Sequence, residues 1–102
     1  MRRLIVRPEA EADITKAAIW YESRESGLGK ELLSDIQQSI ARALHRPEAF
    51  LRIRKNPQVR RVLAKQFPYR IFFILEVDSL IVFAVLHAAR HEKIWRERLR
   101  RS

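Results

Sequence analysis

The chain contains no cysteine. That removes any disulfide framework and any thiolate metal site, and it is compatible with a reducing compartment. There are only two glycines, Gly27 and Gly29, and neither belongs to a glycine-rich phosphate loop. The longest unbroken apolar run, residues 80–86, is far short of a membrane span. The opening MRRLIVRP is basic but has no hydrophobic segment long enough for a secretion signal. A cytoplasmic protein with no membrane partner is expected. Internal repeats and low-complexity segments are also missing. With 102 residues and 47% hydrophobic content, disorder is unfavourable and the chain reads as one domain, residues 1–102, with a single core.

Acidic side chains are lacking over one long stretch. From Arg52 to Arg70 there are seven basic residues and no acid. The imbalance is regional. Residues 1–40 carry 6 basic and 7 acidic side chains, a net of −1, and residues 41–102 carry 15 and 5, a net of +10, which together give the +9 of the chain. Such a block attracts a polyanion or an acidic protein, the plain alternative being a solvated basic surface.

Residues 2–7 (RRLIVR) form one apolar block without helical period and predict a short strand. Pro8 suits the first turn of a helix, and Glu9, Glu11 and Asp13 place negative charge where the helix dipole favours it. The helix is expected to run to about residue 25, with Ile14, Ala17, Ala18 and Tyr21 as its buried stripe and Trp20 on the flank. Gly27 is a natural left-handed cap for a tight helix-to-helix turn. A second helix over residues 28–45 buries Leu32, Leu33, Ile36, Ile40, Ala43 and Leu44, and Arg46-Pro47 ends it. Residues 48–57 read as a connection, with Asn56-Pro57 as a turn signal. Residues 59–65 (VRRVLAK) read as a strand charged on both faces, and residues 91–101 as a last helix with Ile94, Trp95, Arg98 and Leu99 at helical spacing.

The chain is organised around residues 69–90, YRIFFILEVDSLIVFAVLHAAR. Two runs of strand-forming residues flank Asp78-Ser79, a plausible two-residue turn. That turn sets Val77 opposite Leu80, Phe73 opposite Ala84 and Arg70 opposite His87. One face then carries Ile71, Phe73, Leu75, Val77, Leu80, Val82, Ala84 and Leu86. The other carries Arg70, Phe72, Ile74, Glu76, Ile81, Phe83, Val85 and His87. A ribbon apolar on both sides belongs mid-sheet with something packed on each face. Its open end should gather Tyr69, Arg70, His87 and Arg90 into a cationic rim.

A phosphate-cleaving site needs cations for the scissile phosphate and groups that move protons near neutrality. Arg61, Lys65, Arg70 and Arg90 supply the cations. His87, His91, Glu76 and Glu92 are the proton carriers on hand, and His87 is the best placed; its structural alternative is a histidine hydrogen-bonded at a sheet end. Arg70, His87 and Arg90 are therefore the catalytic candidates. The wider binding surface takes in Arg60, Arg61, Lys65, Tyr69 and Trp95, although Trp95 at helical spacing is also a natural packing residue. His87 and His91 are four apart but straddle a strand end with no third strong ligand, so neither metal nor cofactor is expected. No serine is marked as an activated nucleophile.

The order strand, helix pair, basic strand, FPYRIFFILEVDSLIVFAVLHAARHEKIW and basic tail resembles the RelE/ParE superfamily of type II toxin–antitoxin toxins over essentially the whole chain. Phe67-Pro68-Tyr69-Arg70, then Val85-Leu86-His87 with Arg90, and then Trp95, are more similar to the ParE branch. The resemblance implies an α+β fold: an N-terminal strand, an α-helical hairpin, a three-stranded antiparallel continuation and a short C-terminal helix. It implies a toxin that inhibits DNA gyrase without being an enzyme. It also implies a hetero-oligomer with a cognate ParD-like antitoxin, which wraps the toxin with an extended acidic segment. The apolar hairpin and basic strand would suit such an acidic amphipathic partner. The alternative is a RelE-like, ribosome-dependent mRNA endonuclease acting through Arg61, Arg70, His87 and Arg90. Arg70 and Arg90 match that pattern, but Leu63 stands where a second strand cation is expected, and Trp95 and Arg96 stand near the position of its C-terminal tyrosine. A further alternative is an inert module that docks an acidic peptide.

Overall fold

The computed structural model describes residues 2–101. Strand β1 is Arg3–Val6, followed by helices α1 (Pro8–Arg24) and α2 (Leu28–His45). Strands β2 (Leu51–Arg54), β3 (Val59–Leu63), β4 (Tyr69–Leu75) and β5 (Ser79–His87) come next, and helix α3 (Lys93–Arg101) ends the fold. The five strands form one mixed sheet in the order β1-β5-β4-β3-β2, with β1 parallel to β5 and the remaining pairs antiparallel. This is the expected α+β architecture with one strand more than the sequence indicated.

The extra strand is β2, which occupies the stretch expected to be a connection. Its pattern LRIR is charged and short, and such composition is tolerated at a sheet edge because one side of the strand faces water. A register shift between Arg52 and Arg54 further masks its alternation.

The helical hairpin begins and ends where its punctuation indicated. Pro8 is the first residue of α1, and the backbone after His45 leaves helical geometry before Pro47. Gly27 sits at φ +95°, in the left-handed region. The Glu22 carboxylate accepts from the N–H groups of Gly27 and Gly29, which closes the turn. Gly29 lies so close to α1 that a Cβ there would stand 2.7 Å from the Ala18 carbonyl oxygen, so only glycine fits without a shift.

Residues 71–75 of β4 and 80–86 of β5 are buried throughout, because each sheet face is covered. Helices α1 and α2 pack Ala10, Ala17, Leu32, Ile36, Ile40 and Ala43 against Val62, Ile71, Phe73, Leu75, Leu80, Val82 and Val85. On the other side, Trp95 of α3 covers Val59, Phe72, Ile74, Ile81, Phe83, Ala84 and Leu86, aided by Ile94 and Leu99. The hairpin is therefore the centre of the core, as its two apolar faces predict, and it leaves no apolar face for the acidic amphipathic partner that was expected to dock on it. Among the described residues no helix is long and apolar enough to cross a membrane.

The register of the hairpin departs from the sequence expectation. Leu75, not Val77, pairs with Leu80, and the Glu76 N–H donates to the Ser79 carbonyl, so the connection is longer than Asp78-Ser79. Phe72 then lies opposite Ala84 while Phe73 lies opposite Val82, which leaves Phe83 as an extra residue in β5. A bulge of this kind moves every later side chain to the opposite face. Ala84 and Leu86 consequently join the α3 side, and Val85 and His87 turn to the side of α1 and α2.

Candidate functional site

The bulge decides what the open end of the hairpin can assemble. Tyr69 is the cross-strand partner of His87, and Arg70 is the partner of Leu86. Alternation places Tyr69 and His87 on the helical-hairpin face and Arg70 on the α3 face. The expected single rim is thus split, and Arg70 and His87 point to opposite sides of the sheet.

On the helical side, a cleft of about 200 Å³ is lined by Asp13, Lys16, Trp20, Tyr69, His87 and Arg90 among others. The Tyr69 and His87 rings meet edge to face at 5.4 Å. Behind them Tyr69, Tyr21 and Phe67 form a chain of edge contacts, at 6.3 and 4.9 Å, that fixes the Tyr69 ring. The His87 Nδ1 accepts from the Ala89 N–H at 3.0 Å, so the neutral ring carries its proton on Nε2, the nitrogen left for a ligand. The turn after β5 is set by the Arg90 N–H donating to the His87 carbonyl and the Ala88 N–H donating to the Pro68 carbonyl, which holds Arg90 at the mouth. Trp20 is 50% exposed at the other rim, with the Arg24 guanidinium 4.5 Å above its ring.

Burial, then the nearby Tyr21 and Asp13, push the Tyr69 hydroxyl above its ordinary value of 10.0, against the lowering pull of Arg90. Tyr69 is therefore a hydrogen-bond donor at neutral pH. The protonated form is favoured in the fold, so its contribution to stability is complete below pH 10. That contribution is lost as pH rises from 10 through the folded value. Wild-type protein should lose stability over that alkaline window more steeply than Tyr69→Phe. Urea midpoints measured from pH 9 to 11 check this, and parallel curves would count against it.

Asp13, which the sequence suggested only as a dipole charge, anchors this end of the molecule. Beyond Val82 the outer edge of β5 has no strand partner, since β1 pairs only as far as Val82. Asp13 Oδ2 accepts from the Val85 N–H at 2.9 Å, and the Arg98 guanidinium of α3 holds both Asp13 oxygens while also donating to the Phe83 carbonyl. Each side chain of the pair is only 15% exposed. The hydrogen bond that the Arg98 guanidinium donates to Asp13 raises it above its usual value and outweighs the lowering effect of burial. An ion pair thus closes the bulged edge and ties α3 to α1.

The remaining expected site residues are scattered. Arg60 faces the helical side and is consumed locally, donating to Gln58 Oε1 and to the carbonyls of Glu48 and Phe50. Lys65 sits exposed in the β3–β4 loop, where its backbone N–H donates to Asp35. Arg61 pairs with Phe72 across the strands and so shares the α3 face with Arg70. Trp95 is 3% exposed and stacked on Phe72 at 5.7 Å and 18°, which makes it a core residue here. Sequence reasoning missed Asp13, Lys16 and Trp20 as site residues. Their three-to-four-residue spacing on one helix face, beside the buried stripe, was the available signal.

Chemically, the cleft has an aromatic wall, two cations and a histidine nitrogen, which suits an anionic or aromatic group. It lacks a base held by an orienting carboxylate, because Asp13 is committed to Arg98 and Val85. Among the described residues no group of three His, Cys, Asp or Glu is placed to hold a metal ion.

The family model for the ParE toxin of type II toxin–antitoxin systems, parDE, matches residues 4–92. The chain belongs to the ParE toxin family. No curated protein sequence matches it. Among solved structures, the chromosomal ParDE toxin–antitoxin system from P. aeruginosa is similar in fold, with a TM-score of 0.74 at 16% identity. That likeness covers 85% of this chain and 96% of the other. Of the two branches named by the sequence resemblance, the ParE branch is the one that matches. Arg90 lies inside the matched segment, whereas α3, with Trp95 and Arg98, lies beyond it.

Proposed function

We propose that this ParE-family toxin acts by inhibiting DNA gyrase, without catalysing bond cleavage, and is silenced by a ParD-like antitoxin. The observation that carries the non-catalytic part is the bulge at Phe83. It separates Arg61 and Arg70 from His87 and Arg90, so phosphate-holding cations and the proton carrier do not converge on one site. Arg60 and Trp95, two further members of the expected surface, serve the fold instead.

The antitoxin has a matching surface. Leu4 and Val6 of β1, Ile14 of α1, and Leu33, Ile40 and Leu44 of α2 line an apolar groove of about 480 Å³. An amphipathic segment can bury its apolar side there. Docking there would leave the Tyr69–His87 cleft on a different part of the helical face.

Supercoiling by gyrase in the presence of the purified toxin tests the target. The expected result is loss of supercoiling with accumulation of cleaved DNA, reversed by the acidic protein encoded next to the toxin. Unchanged supercoiling at high toxin concentration overturns the gyrase assignment. New mRNA 5′ ends after brief induction would instead support the endonuclease alternative.

A further inference from the structure

We propose that the arginine-lined cleft between α3 and the β2–β3 turn grips the phosphate backbone of duplex DNA without reading its sequence. The cleft, about 360 Å³, is lined by Arg54, Pro57, Arg96, Leu99 and Arg100, and no acidic residue lines it. It lies on the α3 side of the sheet, away from the Tyr69–His87 cleft and the antitoxin groove.

The amphipathic character of α3 explains the arrangement. Trp95 is buried on Phe72, and Ile94 and Leu99 pack on the same cluster. That fixes the helix so that Arg96 and Arg100, one turn apart, face the β2–β3 turn and Arg54. These guanidiniums are weakly engaged by the protein. Arg54 Nε donates to the Asn56 carbonyl at 3.3 Å. Arg96 meets Glu92 at 3.5 Å, with both side chains more than half exposed, a geometry worth little in water. Arg100 has no ion-pair partner among the described residues. The nearest acid on the helix, Glu97, lines an adjoining hollow with Arg100 and Arg101.

Charge density and the absence of an exposed ring identify the occupant. Three forks in one small cleft call for closely spaced anions, which a phosphodiester chain supplies better than a peptide carboxylate series. The only tryptophan here, Trp95, is covered by Phe72 on one side and approached by the Arg96 guanidinium at 5.0 Å. With no free aromatic platform to stack an unpaired base, the cleft suits a duplex backbone and not a single strand. Arg61 and Arg70 continue the cationic surface along the same sheet face.

Because a gyrase inhibitor meets duplex DNA, this extends the proposed function, yet its test contains no gyrase, so the two can fail separately. Fluorescence anisotropy of a labelled 20-base-pair duplex would be titrated with the full chain at 50–200 mM salt. Arg96→Gln/Arg100→Gln is expected to weaken binding about tenfold and to flatten the salt slope by roughly 1.8, about 0.9 per lost contact. The charge-matched control Lys30→Gln/Arg46→Gln, on the exposed surface of α2 and its C-cap, should change the affinity less than twofold. Arg96→Lys/Arg100→Lys should keep the slope while losing part of the affinity. Circular dichroism of each variant should match wild type. Equal losses in the cleft and control variants would overturn the proposal in favour of diffuse attraction to a cationic protein. Tighter binding of the single strand, or of an acidic peptide in competition with the duplex, would overturn it too.

Discussion

Asp13→Ala is expected to lower the unfolding free energy by roughly 3–5 kcal/mol, because it takes both carboxylate oxygens away from a largely buried guanidinium. Arg98 would lose both Asp13 oxygens and keep the Phe83 carbonyl, while the Val85 N–H would lose its acceptor at the unpaired edge of β5. Domains of this size are stable by only about 5–15 kcal/mol, so the variant should sit near the folding threshold. Asp13→Asn should also be costly, since the amide offers one acceptor where Arg98 and Val85 use two oxygens. The double variant Asp13→Ala/Arg98→Ala is the discriminating one. Removing both partners leaves no buried charge uncompensated, so its loss should fall well short of the sum of the single losses. Urea unfolding of the four proteins measures this, and additive losses would mean that the pair does not close the edge.

The same ion pair shows how far the sequence carries and where it stops. Features set by neighbouring residues were visible in it: Pro8 opening α1, Gly27 in the left-handed region, and Arg46-Pro47 ending α2. The central position of the hairpin followed from its being apolar on both faces. Its phase did not, because Phe83 and Ala84 are both apolar and either can face either layer. One extra residue there sends His87 to one side of the sheet and leaves Arg70 on the other. Strand β2 was hidden by the charges that an edge strand tolerates. Asp13 satisfies a helix-dipole rule locally, and its actual partner lies 85 residues away, beyond the reach of any spacing argument. Trp20 looked like a flank because helical periodicity gives burial but not which element stands opposite. In each case local chemistry fixed the element, and a long-range contact fixed the role of the side chain.

Asp35 is the second such case and carries the second large prediction. Its carboxylate, 6% exposed in the middle of α2, accepts from the N–H groups of Lys65, Gln66 and Phe67 at 3.0, 2.9 and 2.9 Å. One side chain therefore satisfies three successive donors of the β3–β4 loop, which have no strand partners of their own. Nearby on the same helix, Arg42 donates to the Ser39 hydroxyl and to the Leu63 carbonyl, holding the end of β3. Asp35→Ala should cost roughly 3 kcal/mol, less than three independent charged hydrogen bonds, because water can reach part of the loop once it loosens. The effect should extend to the cleft, since Phe67 supports Tyr21 and Tyr21 supports Tyr69. Hydrogen exchange locates the loss. Amide protection at residues 65–67 should fall in Asp35→Ala well before the core strands open. A drop in overall stability with those three amides as protected as in the wild type would mean that Asp35 acts through the packing of α2 and not through the loop.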